Sequence, residues 1–256
     1  SLPPKINQLD KIKVGIVNYL NTIPLLYGIN ESPVRDSVEL IYDYPSNIAS
    51  FLIDGKIDIG LVPVAILPRL NEYHIHTQYC IGCNGPVASV CVFSEVPIEN
   101  IETILLDYQS RTSVALLKIL LRNYWQVTPR LVDTASDYRS SIRETTAGLV
   151  IGDRSFEQRK KSKYVYDLGD AWKKHTGLPF VFATWTSTRQ LDQNFILEFD
   201  KANARGIQNI PHIIDTVPYT LFDMKEYFTK YISYKLDHEK REGLSHFLKL
   251  LNAEIK

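Results

Sequence analysis

Short continuous apolar runs alternate along the chain with segments whose apolar residues recur at three- and four-residue spacing. The runs at 13–17, 38–42, 57–62, 87–93, 104–106, 128–132, 147–153 and 180–185 predict strands. Most of these lack polar alternation, the pattern of strands covered on both faces. Pro24 fits the first turn of a helix running to about Gly28, and Tyr44-Pro45-Ser46-Asn47 opens a second that Gly55 closes. Val114, Leu117, Leu121 and Tyr124 share a helix face behind Ser110, which sits where an N-cap belongs. A short polar helix is predicted over 137–143, and helices over 195–204, 224–232 and 239–251. In the last part, Tyr227, Phe228, Tyr231 and Tyr234 form an aromatic stripe that reads as core.

Strands alternate with helices over about residues 13–75 and again over about 88–183, and a helical tail follows. Two α/β units predict two lobes, each a mixed, mainly parallel sheet flanked by helices, with a ligand cleft between them. The expected division is 1–88 plus 185–256 for one lobe and 89–184 for the other, the Ser89 and Phe182 strands being the crossovers. The topology matches the type II periplasmic-binding-protein architecture, whose hinged lobes close over a ligand.

The chain has 256 residues, 45% hydrophobic and 23% charged, which is ordinary globular composition. Lys plus Arg equals Asp plus Glu at 29 each, so no global field favours nucleic acid or an anionic membrane, and anion binding must be local. No apolar run is long enough to span a bilayer. Cys80 and Cys83 have C-x-x-C spacing with His74 and His76 nearby, but no strand–CxxC–helix pattern surrounds them. Free thiols and no metal are expected. Three cysteines without a disulfide framework, and no signal-like apolar stretch after Ser1, place the expected location in the cytoplasm. Monomer and homodimer both stay open.

The stretch Leu106-Asp107-Tyr108-Gln109-Ser110-Arg111-Thr112-Ser113 carries the clearest chemistry. A helix start offers unpaired N–H groups and partial positive charge; three hydroxyls and a guanidinium beside it make a receptor for carboxylate or phosphate. A capped helix with its Arg in solvent is the simpler alternative. Asn18 and Asn21 follow the first strand, at the strand end where open α/β sheets bind ligands; Asn21 is the candidate contact. Ser46 reads as a cap that can also touch ligand. Ser89 is a lone polar residue in an apolar strand. Asp153, after Ile151-Gly152, can accept from a ligand hydroxyl, hold Arg111 or cap a helix, and the sequence leaves these open.

Several motifs occur in a telling order: Asn18-Tyr19-Leu20-Asn21-Thr22-Ile23-Pro24-Leu25, Pro45-Ser46, Gly55-Lys56-Ile57-Asp58-Ile59, Asn84-Gly85-Pro86-Val87-Ala88-Ser89-Val90, Ser110-Arg111-Thr112-Ser113, Ile151-Gly152-Asp153 and Thr176-Gly177-Leu178-Pro179-Phe180. As a set they resemble the chorismate dehydratases of the futalosine route to menaquinone, from about Lys13 to Leu250. The resemblance implies conversion of chorismate to 3-[(1-carboxyvinyl)oxy]benzoate and water, with no metal or organic cofactor. It places Asn21 and Ser89 at the reacting centre. Ser46, Asn84, Gly85, Ser110, Arg111, Thr112, Ser113 and Asp153 would contact substrate, with the Ser-Arg-Thr-Ser motif binding a carboxylate. Arg154-Ser155-Phe156 stands where small residues and Leu are usual in that family.

No matched motif holds a His, Glu or Lys placed as a base. The resulting hypothesis is that a substrate carboxylate takes the proton. Two rivals remain: a non-catalytic solute-binding protein of the same fold, and the sister enzyme of the pathway that acts on a cyclic futalosine derivative.

Overall fold

Two mixed sheets organise the computed structural model, which describes residues 11–254. The opening residues read above for a leader lie outside that range. The strands in chain order are β1 (Ile12–Val17), β2 (Val38–Asp43), β3 (Ile59–Pro63), β4 (His74–Cys83), β5 (Val90–Ser94), β6 (Thr103–Leu105), β7 (Arg130–Val132), β8 (Thr146–Ile151), β9 (Tyr164–Asp167), β10 (Phe180–Ser187) and β11 (Ser233–Lys235). The larger sheet has the order β11-β4-β10-β3-β1-β2 and the smaller β7-β6-β8-β5-β9. The helices are α1 (Ile23–Asn30), α2 (Pro45–Ile53), α3 (Arg111–Leu120), α4 (Arg154–Arg159), α5 (Leu168–Thr176), α6 (Gln193–Gln208), α7 (Ile210–Thr216), α8 (Met224–Glu226) and α9 (His238–Glu254). None of these is long and apolar enough to cross a membrane.

Pro24 and Pro45 stand in the first turns of α1 and α2, where their missing N–H groups have no helical partner to lose. Two close approaches fix α1 against α6. A Cβ on Gly206 would lie 1.9 Å from the Pro24 carbonyl oxygen, and one on Gly28 would lie 2.0 Å from that of Ala202. The body of the larger lobe is therefore tied to the loop that follows β1.

The chain leaves the larger sheet after β4 and returns through α5 into β10. All of β10 pairs in the larger sheet, so the return falls before Phe180 and not near residue 184. Parallel pairs join β1 to β2 and β3, and β6 to β7 and β8. β5 and β10 run antiparallel to both neighbours, so the sheets are less parallel than the alternation of elements predicts. Each is the first strand laid down after the chain changes sheet, and neither is joined to its neighbours by a strand–helix–strand crossover.

Other differences have local causes. The strand expected from residue 87 begins at Val90, because the Val87 and Ala88 N–H groups bond the buried Asp167 carboxylate and Ala88 has φ +67°. The helix expected over 137–143 shrinks to one turn, Arg139–Ser141, as Tyr138 turns inward to the Leu149 carbonyl. Helix α8 passes into a π-helical turn, Tyr227–Tyr231. Tyr227 and Phe228 lie in the core, as the aromatic stripe implied.

Candidate active site

The loop after β1 folds into one turn, Leu20–Thr22, held by the Thr22 hydroxyl, which donates to the carbonyl oxygens of Val17 (2.7 Å) and Tyr19 (2.8 Å). Tyr234 donates to the Asn21 carbonyl oxygen at 2.6 Å. The backbone of Asn21 is thus pinned from two sides. Its side-chain Oδ1 is buried and, among the described residues, has no hydrogen-bond partner. Such an orphan acceptor costs about 1–3 kcal/mol unless a ligand or water meets it.

Asn21 lines a cavity between the two sheets. Tyr19, Ser89, Ser110, Thr112 and Ser113 line the same cavity, with Val17, Leu61, Ile81, Val90, Ile151 and Phe182 supplying apolar surface. Among the described residues, no Asp, Glu, His, Lys or Arg lines it. Five of the residues singled out from the sequence are therefore brought together: Asn21, Ser89, Ser110, Thr112 and Ser113. Five are not. Arg111 is exposed at the first position of α3 and is absent from the wall. Ser46 sits in the first turn of α2 beside the lining Pro45, and its carbonyl oxygen accepts from the Ser50 hydroxyl at 3.1 Å. Asn84 is exposed and opens on a different depression with Arg159 and Lys230. Gly85 serves the crossover turn at φ +108°, a conformation glycine adopts without strain.

Asp153 is the fifth. Only its neighbour Gly152 lines the cavity. The Asp153 side chain makes no capping bond to α4 and no contact with Arg111; its Oδ1 accepts from the Leu20 N–H at 3.2 Å, across the cleft. Burial raises its pKa against the lowering effect of that bond. Two further bonds join the lobes: Tyr19 OH donates to Gln109 Oε1 (2.6 Å), and the Ala65 N–H to Thr112 Oγ1 (3.1 Å). Tyr219 OH also donates to the Asp153 carbonyl oxygen at 3.3 Å, so several hydrogen bonds hold the lobes together around the cavity. Tyr19 and Gln109 escaped the sequence reading as a pair. Their nearness to Asn21 and Ser110 was the available signal, but pairing across 90 positions has none.

The start of α3 is built with care. Ser110 caps it, accepting from the Ser113 N–H at 3.2 Å and donating to the Ser113 hydroxyl at 2.8 Å. The loop before it is shaped by Asp107, whose wholly buried carboxylate accepts from the N–H groups of Gln109 (2.7 Å) and Ser110 (2.9 Å). Arg154 completes this unit, reaching Asp107 at 3.2 Å with its guanidinium over the Tyr108 ring. The cation paired in this loop is thus Arg154 and not Arg111. Burial still holds the Asp107 pKa above its usual value.

Ser89 is fixed in turn. Its carbonyl oxygen accepts from the Gly152 N–H at 2.8 Å, and its hydroxyl lies 2.7 Å from Tyr227 OH. Cys80, Cys83 and Cys91 are buried free thiols, and burial raises all three, Cys80 to about 12. Such thiols are poor metal ligands and nucleophiles. Among the described residues no group of three or more His, Cys, Asp or Glu gathers at metal-binding distance.

Two mixed sheets closing on a central cavity define a protein of the periplasmic-binding-protein-like fold. Solved structures agree. A protein of Archaeoglobus fulgidus superposes with a TM-score of 0.76 at 16% identity, covering 95% of this chain and 97% of its own. A Candida albicans gene product described as having the generic periplasmic binding protein fold gives 0.63 at 15%, covering 96% and 91%. The periplasmic aliphatic sulphonate binding protein of Escherichia coli gives 0.63 at 15%, covering 95% and 87%. At these identities the likeness shows the fold alone.

The sequence narrows the class. Residues 12–253 match the menaquinone biosynthesis family model, and the chain belongs to that family. Two relatives are named chorismate dehydratase. That of Campylobacter jejuni is 25% identical over 252 residues, 93% of this chain and 97% of the relative. That of Thermus thermophilus is 25% identical over 195 residues, 69% and 70% of the respective chains.

Proposed function

We propose that this chain is a carbon–oxygen lyase that dehydrates chorismate to 3-[(1-carboxyvinyl)oxy]benzoate, in the futalosine route to menaquinone. The single observation that carries the reading is Asn21: a buried carboxamide oxygen, unpartnered among the described residues, on the wall of a largely apolar cavity. A ring with a hydroxyl to be lost offers that amide its missing partner and fills apolar space with carbon.

The reaction removes the ring C3 hydrogen and the C4 hydroxyl, and the product ring is aromatic. Aromatisation supplies the driving force, so the protein mainly orients the substrate and stabilises developing charge. Asn21 meets the departing hydroxyl. As C3 loses its proton, charge spreads through the ring diene toward the ring carboxylate. The hydroxyls of Thr112 and Ser113, the latter oriented by Ser110, and the free N–H groups at the start of α3 suit that carboxylate without a guanidinium on the wall. Since no Asp, Glu, His or Lys lines the cavity among the described residues, and burial keeps the lining Tyr19 phenol protonated, the proton acceptor in this reading is the substrate's own enolpyruvyl carboxylate. The closed lobes exclude water from the charged intermediate.

The test is direct. Purified protein is mixed with chorismate and followed in the ultraviolet for a benzoate. Appearance of the benzoate supports the reading. An unchanged spectrum with chorismate bound, measured by calorimetry, assigns the chain to the solute binders instead.

A further inference from the structure

Ser89 and Tyr227 form an isolated pair. Their hydroxyl oxygens are 2.7 Å apart, the two residues are only 2% and 1% exposed, and among the described residues neither hydroxyl has another partner. Two hydroxyls sharing one hydrogen bond hold two protons. One lies between them, and the other must point elsewhere.

The surroundings decide which. Tyr227 is packed among aromatic rings, with Phe156 edge-on at 5.1 Å between centroids, Phe228 at 5.7 Å and Phe222 at 6.2 Å. If Ser89 donated, the phenol proton would be left among these rings with no acceptor, a cost of about 1–3 kcal/mol. If Tyr227 donates, the free proton belongs to Ser89, which lines the cavity, where a ligand oxygen can take it. A phenol is also the stronger acid of the two and the better donor. Both arguments point the same way.

We propose that Tyr227 is a positioning residue that makes Ser89 a one-way hydrogen-bond donor toward an acceptor-only oxygen of the ligand. Carboxylate oxygens are such acceptors, so the position selects a carboxylate against a hydroxyl or amine there. The chain Tyr227 to Ser89 to ligand is cooperative, which strengthens the last bond. The backbone supports it at both ends. Ser89 is held by Gly152 and by the positive-φ Ala88 before it. Tyr227 opens a π-helical turn, a device that commonly re-aims a side chain at functional sites.

As it concerns turnover, the proposal rests on the chorismate reading, so its test has a substrate-free arm. Protein carrying tyrosine labelled with 13C at Cζ is compared with Ser89→Ala, the Tyr227 signal being assigned by its loss in Tyr227→Phe. A donating phenol loses its acceptor in Ser89→Ala, and the signal moves upfield. An unmoved or downfield signal overturns the proposal whether or not chorismate is turned over.

The second arm is a double-mutant cycle on chorismate turnover and on chorismate binding by calorimetry. Tyr227→Phe should lower kcat/KM about tenfold with its melting temperature held within a few degrees, and add less than twofold in the Ser89→Ala background. Independent, multiplying losses overturn the coupling. Wild-type protein that leaves chorismate unchanged defeats the chorismate reading alone, and the first arm then decides this one.

Discussion

Replacing Asp153 by Asn separates two accounts of the cleft that differ by orders of magnitude. Asp153 is a carboxylate adjacent to the cavity wall, beside the lining Gly152, and a protein base would most naturally be this one. Its geometry argues otherwise. Oδ1 is engaged by the Leu20 N–H at 3.2 Å, which makes it a strut between lobes. Asparagine keeps a carbonyl oxygen at that position and loses the charge. A hydrogen bond to a charged group contributes about 1.5–3 kcal/mol and a neutral one about 0.5–1.5, so the bond weakens by about 1 kcal/mol; relief of the buried charge offsets this, and any step that needs the closed form changes by no more than roughly fivefold. Loss of a general base would instead lower turnover by about 10²–10⁴.

The assay is steady-state chorismate turnover for wild type and Asp153→Asn across pH. The strut account expects kcat within about tenfold and a pH profile of unchanged shape. A fall of about a thousandfold at unchanged KM, with loss of the acidic limb, would refute it and make Asp153 the base. Stability supplies an independent check. Burial raises the Asp153 pKa, so the folded state binds this proton more tightly than the unfolded chain. Its contribution is then fully present below the unfolded value of about 3.9 and is lost as pH rises through the higher folded value. Asp153→Asn should therefore raise the urea midpoint at pH 7 relative to wild type, and by less at pH 4.

Three further outcomes follow from the same geometry. Asp107→Ala leaves two loop N–H groups and Arg154 without their buried carboxylate, and should lower stability by about 3–5 kcal/mol in urea denaturation; a loss under 1 kcal/mol would mean that the loop does not depend on it. Arg111→Ala should leave kcat unchanged and raise KM a few-fold at low salt, with the difference vanishing as salt screens it; a hundredfold fall in kcat would put the guanidinium on the substrate after all. Gly206→Ala forces a methyl into the Pro24 carbonyl and should destabilise by about 1–3 kcal/mol or more, while adding heat-sensitive turnover, because Pro24 continues the Asn21 loop; an unchanged melting temperature would show that α1 and α6 separate freely.

What the sequence made legible was local chemistry. Ser110 as a cap, Pro24 and Pro45 at helix starts, and the apolar runs of β1, β3 and β8 each depend on neighbours within a turn or a strand. The ordered motifs singled out Asn21, Ser89 and the hydroxyls of α3, and these residues line one cavity. What stayed hidden depends on pairing over distance. Nothing near Asp167 in sequence marks it, yet its carboxylate holds the N–H groups of Val87, Ala88, Gly169 and Asp170 and so decides where β5 begins. β4 was missed because His74, His76 and Gln78 break its apolar run, and β11 because three residues carry no period.

The misplacement of Arg111 has the same origin and a further consequence. At the sequence level a guanidinium beside three hydroxyls reads as an anion receptor, since spacing cannot say which way a first-turn residue points. In the structure the first turn faces the cavity with Thr112 and Ser113 and turns Arg111 outward, while Arg154 neutralises the one acid of the loop. The cavity is left without fixed charge of either sign. A dianion entering it is then met by neutral dipoles: hydroxyls, an amide and a helix start. That arrangement holds a carboxylate without forming a tight ion pair. A fixed cation there would stabilise the substrate's ground-state charge as strongly as the delocalised charge that follows proton loss. In the proposed reaction, neutral donors would leave the enolpyruvyl carboxylate basic, as a dehydration without a protein base requires.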